Sequence, residues 1–115
     1  MNLYAEARQD ALWVRVEENR LDAAIAIRFK DQMREACTQP SQRVVLDLES
    51  VTFLDSSGLG AIVAVMKALP ADRKLELAGL NMNVAKVFRL TRMDTIFKIH
   101  PTAEEAFLPE VRNAG

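Results

Sequence analysis

The chain is poor in the residues that most often carry chemistry. It has one cysteine, one histidine, one tryptophan and one tyrosine among 115 residues. A lone Cys37 excludes an intrachain disulfide and a cysteine-built metal site, and it fits a reducing compartment. His100 has no second ligand at metal-binding spacing, so it reads as the end of a strand. A hydrolase triad would have to recruit it from far along the chain, and the nucleophile-elbow pattern is absent. No glycine loop with lysine is present to cradle a nucleotide phosphate. Gly58-Leu59-Gly60 opens a dinucleotide-type fingerprint, but Val63 stands where the third glycine belongs. Charge of one sign is also lacking, with a net of -1 and no basic cluster, which argues against nucleic-acid or membrane-surface binding. The longest uncharged stretch, Ser56 to Met66, falls far short of the about 20 residues of a membrane span. The opening MNLYAEARQD carries charges early and has no apolar leader. A cytoplasmic protein without membrane insertion is expected.

What remains is an ordinary globular composition, 50% hydrophobic and 27% charged, without internal repeats or linkers. One domain over 1–115 is expected. Leu12 to Glu18 partly alternates, as a half-buried strand does. Asn19 suits a left-handed turn. Asp22 reads as the N-cap of a helix carrying Ile25, Phe29, Met33 and Cys37 on one side. Arg43 to Leu48 reads as a buried strand, and a connection then leads to the helix GLGAIVAVMKAL. KLELAGL reads as a strand and NVAKVFRLTR as a helix with a solvated basic side of Lys86, Arg89 and Arg92. IFKIH reads as a strand, and Thr102 with Glu105 as a capping box opening a last helix that Pro109 would end. Strand–helix alternation implies an α/β fold, a mixed, mainly parallel sheet of about four to five strands covered by about four helices. Right-handed crossovers put Leu54 to Gly60 on the edge where the strands end.

Asp55-Ser56-Ser57-Gly58-Leu59-Gly60 sits between a strand and a helix. A serine there, Ser56 or Ser57, can cap the helix, Asp55 is a further cap or loop candidate, and the helix N-terminus favours a phosphate on a serine. The two glycines would let another protein approach the backbone closely. The helix that follows is apolar nearly all round. Leu59, Ile62, Val63 and Met66 form a stripe for the sheet, while Ala61, Ala64, Val65 and Ala68 either meet a neighbouring helix or form a docking surface.

The run VVLDLESVTFLDSSGLGAIVAVMKAL resembles the signature of the STAS family, especially its anti-sigma factor antagonists. Arg20-Leu21-Asp22-Ala23-Ala24, LELAGLNMNVAKVF and IFKIH extend the resemblance over nearly the whole chain. Asn19 and Arg92 stand where the family often has glycine. The resemblance implies an anti-anti-sigma factor, a ligand and substrate rather than an enzyme. It would bind an anti-sigma factor that is also a serine kinase and so free a sigma factor. Phosphorylation at Ser56 would release it, and a serine phosphatase would reset it. No cofactor of its own is implied, since ATP and magnesium belong to the kinase, and a monomer in isolation is expected. The implied partner-binding set is Asp22, Asp55, Ser56, Ser57, Gly58, Leu59, Gly60, Ala61 and Ala64. The alternatives are a STAS scaffold or a subunit of a lipid-transport complex without phospho-switching, and, more remotely, a nucleotide-binding domain.

Overall fold

Strands of branched and aromatic residues alternate along this chain with helices whose apolar residues recur every three or four positions. The computed structural model describes residues 1–108. The first strands are β1 (Leu3–Arg8) and β2 (Ala11–Val16), followed by the two-residue β3 (Arg20–Leu21) and helix α1 (Ala26–Ala36). Next come β4 (Arg43–Asp47), another two-residue strand β5 (Phe53–Leu54), and helix α2 (Ser56–Ala68). Then follow β6 (Lys74–Ala78), α3 (Met82–Leu90), a 3-10 turn at Met93–Thr95, β7 (Lys98–His100) and the short α4 (Ala103–Ala106). Pro109, expected to end the last helix, lies outside the described residues.

The main sheet runs β1-β2-β4-β6-β7. All its pairs are parallel except the β1–β2 hairpin, so the mixed, mainly parallel sheet expected from the alternation is present. That hairpin was not legible in MNLYAEARQD; its tight turn places Gln9 at φ 54. β3 and β5 form a separate parallel pair.

The alternation of side chains along the strands sorts the core into two faces. Leu12, Val14, Val44, Leu46, Leu75 and Leu77 pack with Phe29, Met33, Ile62, Val84 and Phe88 from α1, α2 and α3. On the opposite face, Ala11, Val45 and Ala78 form a smaller cluster with Ala106 and Phe107 at the end of α4, and Ala103 packs against it. Trp13 lies on that face too, donating from Nε1 to the buried Asp47 (3.2 Å).

Two local expectations change. Asp22 does not cap α1. The cap position is Ile25, and the Asp22 carboxylate accepts from the Ala24 N–H (3.1 Å) in a turn before the helix. Asn19 is not left-handed; its carbonyl instead accepts from the Thr52 and Phe53 N–H groups (2.8 and 3.2 Å), locking β3 beside β5. Arg92, like Gln9, takes a glycine-like left-handed conformation, with φ 59 and ψ 17.

Candidate functional site

β3 and β5 extend side by side to the sheet edge where α2 begins, and their last residues set the site. The helix is capped by Asp55, not by a serine. Its Oδ1 accepts from the Gly58 N–H at 2.8 Å, and its carbonyl begins the helical ladder at Leu59 (2.9 Å). Ser56 and Ser57 are therefore the first two helical residues, and both are exposed. Their own N–H groups are among those a helix start leaves without an intrahelical acceptor.

The second oxygen of Asp55 accepts from the Ala23 N–H at 3.1 Å. One carboxylate thus ties the loop after β3 to the start of α2, across 32 residues of sequence. The Asp55 N–H adds a longer bond to the Leu21 carbonyl (3.4 Å). These ties hold the loop that carries Asp22 against the start of α2, where Ser56 lies.

Gly58 is indispensable for an internal reason. A Cβ there would stand 2.1 Å from the Leu21 carbonyl oxygen and 2.8 Å from the Leu54 side chain. Its missing side chain allows a close backbone approach within the chain. Gly60 is exposed and a Cβ there would meet nothing within 4 Å. Of the expected partner-binding residues, Ser56, Ser57 and Gly60 are exposed, and Asp22, Asp55, Leu59 and Ala64 are half-buried. Gly58 and Ala61 face inward, so they offer no side-chain surface. The inward side of α2 is Gly58, Ala61, Ile62 and Val65, rotated from the expected stripe because α1 packs beside it.

The edge also carries a pair that the sequence did not single out. Arg20 stacks its guanidinium 4.2 Å above the Phe53 ring and reaches Asp22 at 3.3 Å. Phe53 is 40% exposed, large for an aromatic without a role in packing. The only available signal was the parallel pairing of Arg20 with Phe53, which two-residue strands do not announce.

Among the described residues, no group of three or more His, Cys, Asp or Glu is placed to hold a metal ion. Likewise, no helix among them is long and apolar enough to cross a membrane.

A family model described as the STAS domain matches residues 2–106. The chain belongs to the STAS domain family. Its STAS domain is similar to an anti-sigma-B factor antagonist of Staphylococcus aureus, at 24% identity over 90% of this chain and 98% of that protein. The fold is that of an anti-sigma factor antagonist from Mycobacterium paratuberculosis, with a TM-score of 0.82, 22% identity and coverage of 91% and 89% of the two chains. It is also that of the anti-sigma factor antagonist SpoIIAA, solved in two states. The unphosphorylated form gives a TM-score of 0.72 at 24% identity, covering 91% of this chain and 92% of that one. The phosphorylated form, from Bacillus, gives 0.65 at 23% identity, covering 91% and 96%.

Proposed function

We propose that this STAS domain is an anti-sigma factor antagonist switched by phosphorylation of Ser56. Unphosphorylated, it binds an anti-sigma factor with serine-kinase activity and so frees a sigma factor. Phosphorylated, it lets go, and a serine phosphatase restores it. The chain is substrate and ligand in this cycle, with no catalysis and no cofactor of its own, and it works as a cytoplasmic monomer between encounters.

The observation that carries this reading is the exposed Ser56 hydroxyl at the first position of α2, on an edge that Asp55 holds rigid. A kinase can reach that hydroxyl without unfolding anything. Two kinds of relative support it: those named as anti-sigma factor antagonists, and SpoIIAA with its phosphorylated form.

The direction of the switch follows from charge. A phosphoserine adds about -1.5 to -2 charges at neutral pH. A partner that presents carboxylates at roughly 5 Å, with an effective dielectric near 20, then meets about 3 kcal/mol of repulsion per unit charge. That is about a hundredfold in affinity. Within the free domain the N-terminus of α2 offsets part of the repulsion from Asp55 and Asp22.

The test is to incubate the protein with the candidate switch kinases of its genome and magnesium-ATP, then locate the modification by mass spectrometry. The expected result is one phosphate on Ser56, lost in Ser56→Ala and kept in Ser57→Ala, with partner affinity falling about a hundredfold on phosphorylation. Absence of phosphate with every candidate overturns the switch and moves the assignment to a STAS scaffold or transport-complex subunit.

A further inference from the structure

Away from the serine edge, the length of α1 and the C-terminal half of α2 lie side by side without closing completely on one another. A groove of about 440 Å³ opens between them. That volume is within the range of ligand-binding grooves. Ala64 and Ala68 on α2 are too small to fill it, and Leu69 lies at its end. Ile27 stands on its α1 side and is 69% exposed, although nothing about a solvated helix face requires an isoleucine there.

The walls of the groove are charged. Lys30, Arg34 and Arg73 line it against a single carboxylate, Asp31. Arg34 pairs with Asp31 at 2.7 Å, and Lys30 has no ion pair among the described residues. Arg73 is already committed to the chain itself. It donates to the carbonyls of Cys37 (2.6 Å), Gln39 (3.0 Å) and Ser41 (2.8 Å), and to the Ser41 hydroxyl (2.8 Å). Those bonds fix the turn after α1 and give the groove a preformed end.

We infer that this groove docks an acidic amphipathic helix of a partner protein, at a site separate from Ser56. Apolar side chains of such a helix, spaced at i, i+3 or i+4 and i+7, fill the space over Ala64 and Ala68 beside Ile27. Its carboxylates meet Lys30 and the outer side of Arg34. The cations are too few for a membrane surface, which calls for a cluster of about four to eight lysines and arginines. Ala64 and Ala68 lie eight and twelve residues beyond Ser56, hence about 12 to 18 Å along α2 at 1.5 Å per residue. Ala64 is shared with the partner-binding set of the switch, but a titration that involves no phosphorylation reads the groove by itself.

Two synthetic helical peptides with the same leucine spacing test the inference, one with a glutamate polar face and one with lysines in its place. The full chain is titrated with each while its amide resonances are mapped. Alkylation of Cys37 by iodoacetamide is followed in parallel, since that thiol is the only one in the chain and lines the groove. The expected result is binding of the acidic peptide alone, with resonance shifts centred on Ile27, Lys30, Ala64 and Ala68 and slowed alkylation. The double variant Lys30→Glu/Arg34→Glu should bind about tenfold more weakly or worse, as two exposed pairs turn repulsive. Both side chains are exposed on α1, so an unchanged melting temperature shows that the variant is folded. Equal binding of the lysine peptide, shifts centred elsewhere, unchanged affinity in the folded double variant, or no binding of either peptide overturns the inference.

Discussion

Asp55 accepts two backbone N–H groups with its two oxygens, one on its own helix and one on the loop after β3. Asp55→Ala removes both bonds at once. The expected loss is about 1 to 2 kcal/mol, measured by urea unfolding, with Asp55→Asn losing less because one oxygen remains. The two glycines of the motif should separate cleanly in the same assay. Gly58→Ala drives a methyl into the Leu21 carbonyl and should cost about 3 kcal/mol or more, whereas Gly60→Ala should add about 0.5 to 1 kcal/mol. Arg92 holds a left-handed conformation that glycine adopts freely, so Arg92→Gly should raise stability by about 1 kcal/mol. At this scale the sequence placed the start of a helix at Asp55-Ser56-Ser57 without deciding which of the three caps it. Aspartate and serine are comparable caps, and only the extended backbone at Asp55, with φ -101 and ψ -177, makes it the cap. Asn19 was a similar case, since asparagine suits turns for several reasons and here contributes its carbonyl.

Among the elements, the long strands and helices were legible because their periodicity persists over several residues. β3 and β5 were not, since two residues show no period, and their pairing is created by the Asn19 carbonyl at one end and Asp55 at the other. α2 was read correctly as a helix but with its inward face rotated, because a helix apolar all round does not say which neighbour covers which side. The small α4 is held on the opposite face by a charge cluster that no local pattern announces. Arg43 donates to both oxygens of Glu76 (3.0 and 2.9 Å) and to the Ala106 carbonyl (2.6 Å), while His100 Nε2 lies 2.7 Å from the Glu76 carboxylate. Burial pushes the Glu76 carboxyl up, but its bonds and charge contacts with Arg43 and His100 outweigh burial and hold it below its ordinary value of 4.5. A carboxyl bound more weakly by protons in the folded state stabilises above its unfolded pKa and loses that contribution as pH falls through the folded value. Glu76→Gln should therefore be less stable than the parent by about 2 kcal/mol at neutral pH, with the gap closing below about pH 4.5. Equal stability of the two at pH 7 would contradict this account.

The whole molecule divides its labour between two sides of one sheet. The helices α1, α2 and α3 bury one face, and the serine edge sits at the end of the strands where α2 begins. Phosphorylation of Ser56 adds charge to an exposed group and touches no buried one. The melting temperature should thus move by no more than about 4 °C, and amide-exchange changes should stay within the loops around residues 20–24 and 53–60. Loosening spread over the sheet would oppose a local switch. The general architecture was legible because strand–helix alternation leaves few topologies open, whereas the β1–β2 hairpin was hidden by the weak alternation of LYAEAR. The tie from Asp55 to Ala23 has a last consequence, for the life of the chain before it is complete. The two loops it joins flank β4, which is seated in the sheet between β2 and β6. The tie cannot form until the chain has been made as far as Asp55, 32 residues beyond Ala23, so the edge it closes is among the later local contacts of the N-terminal half.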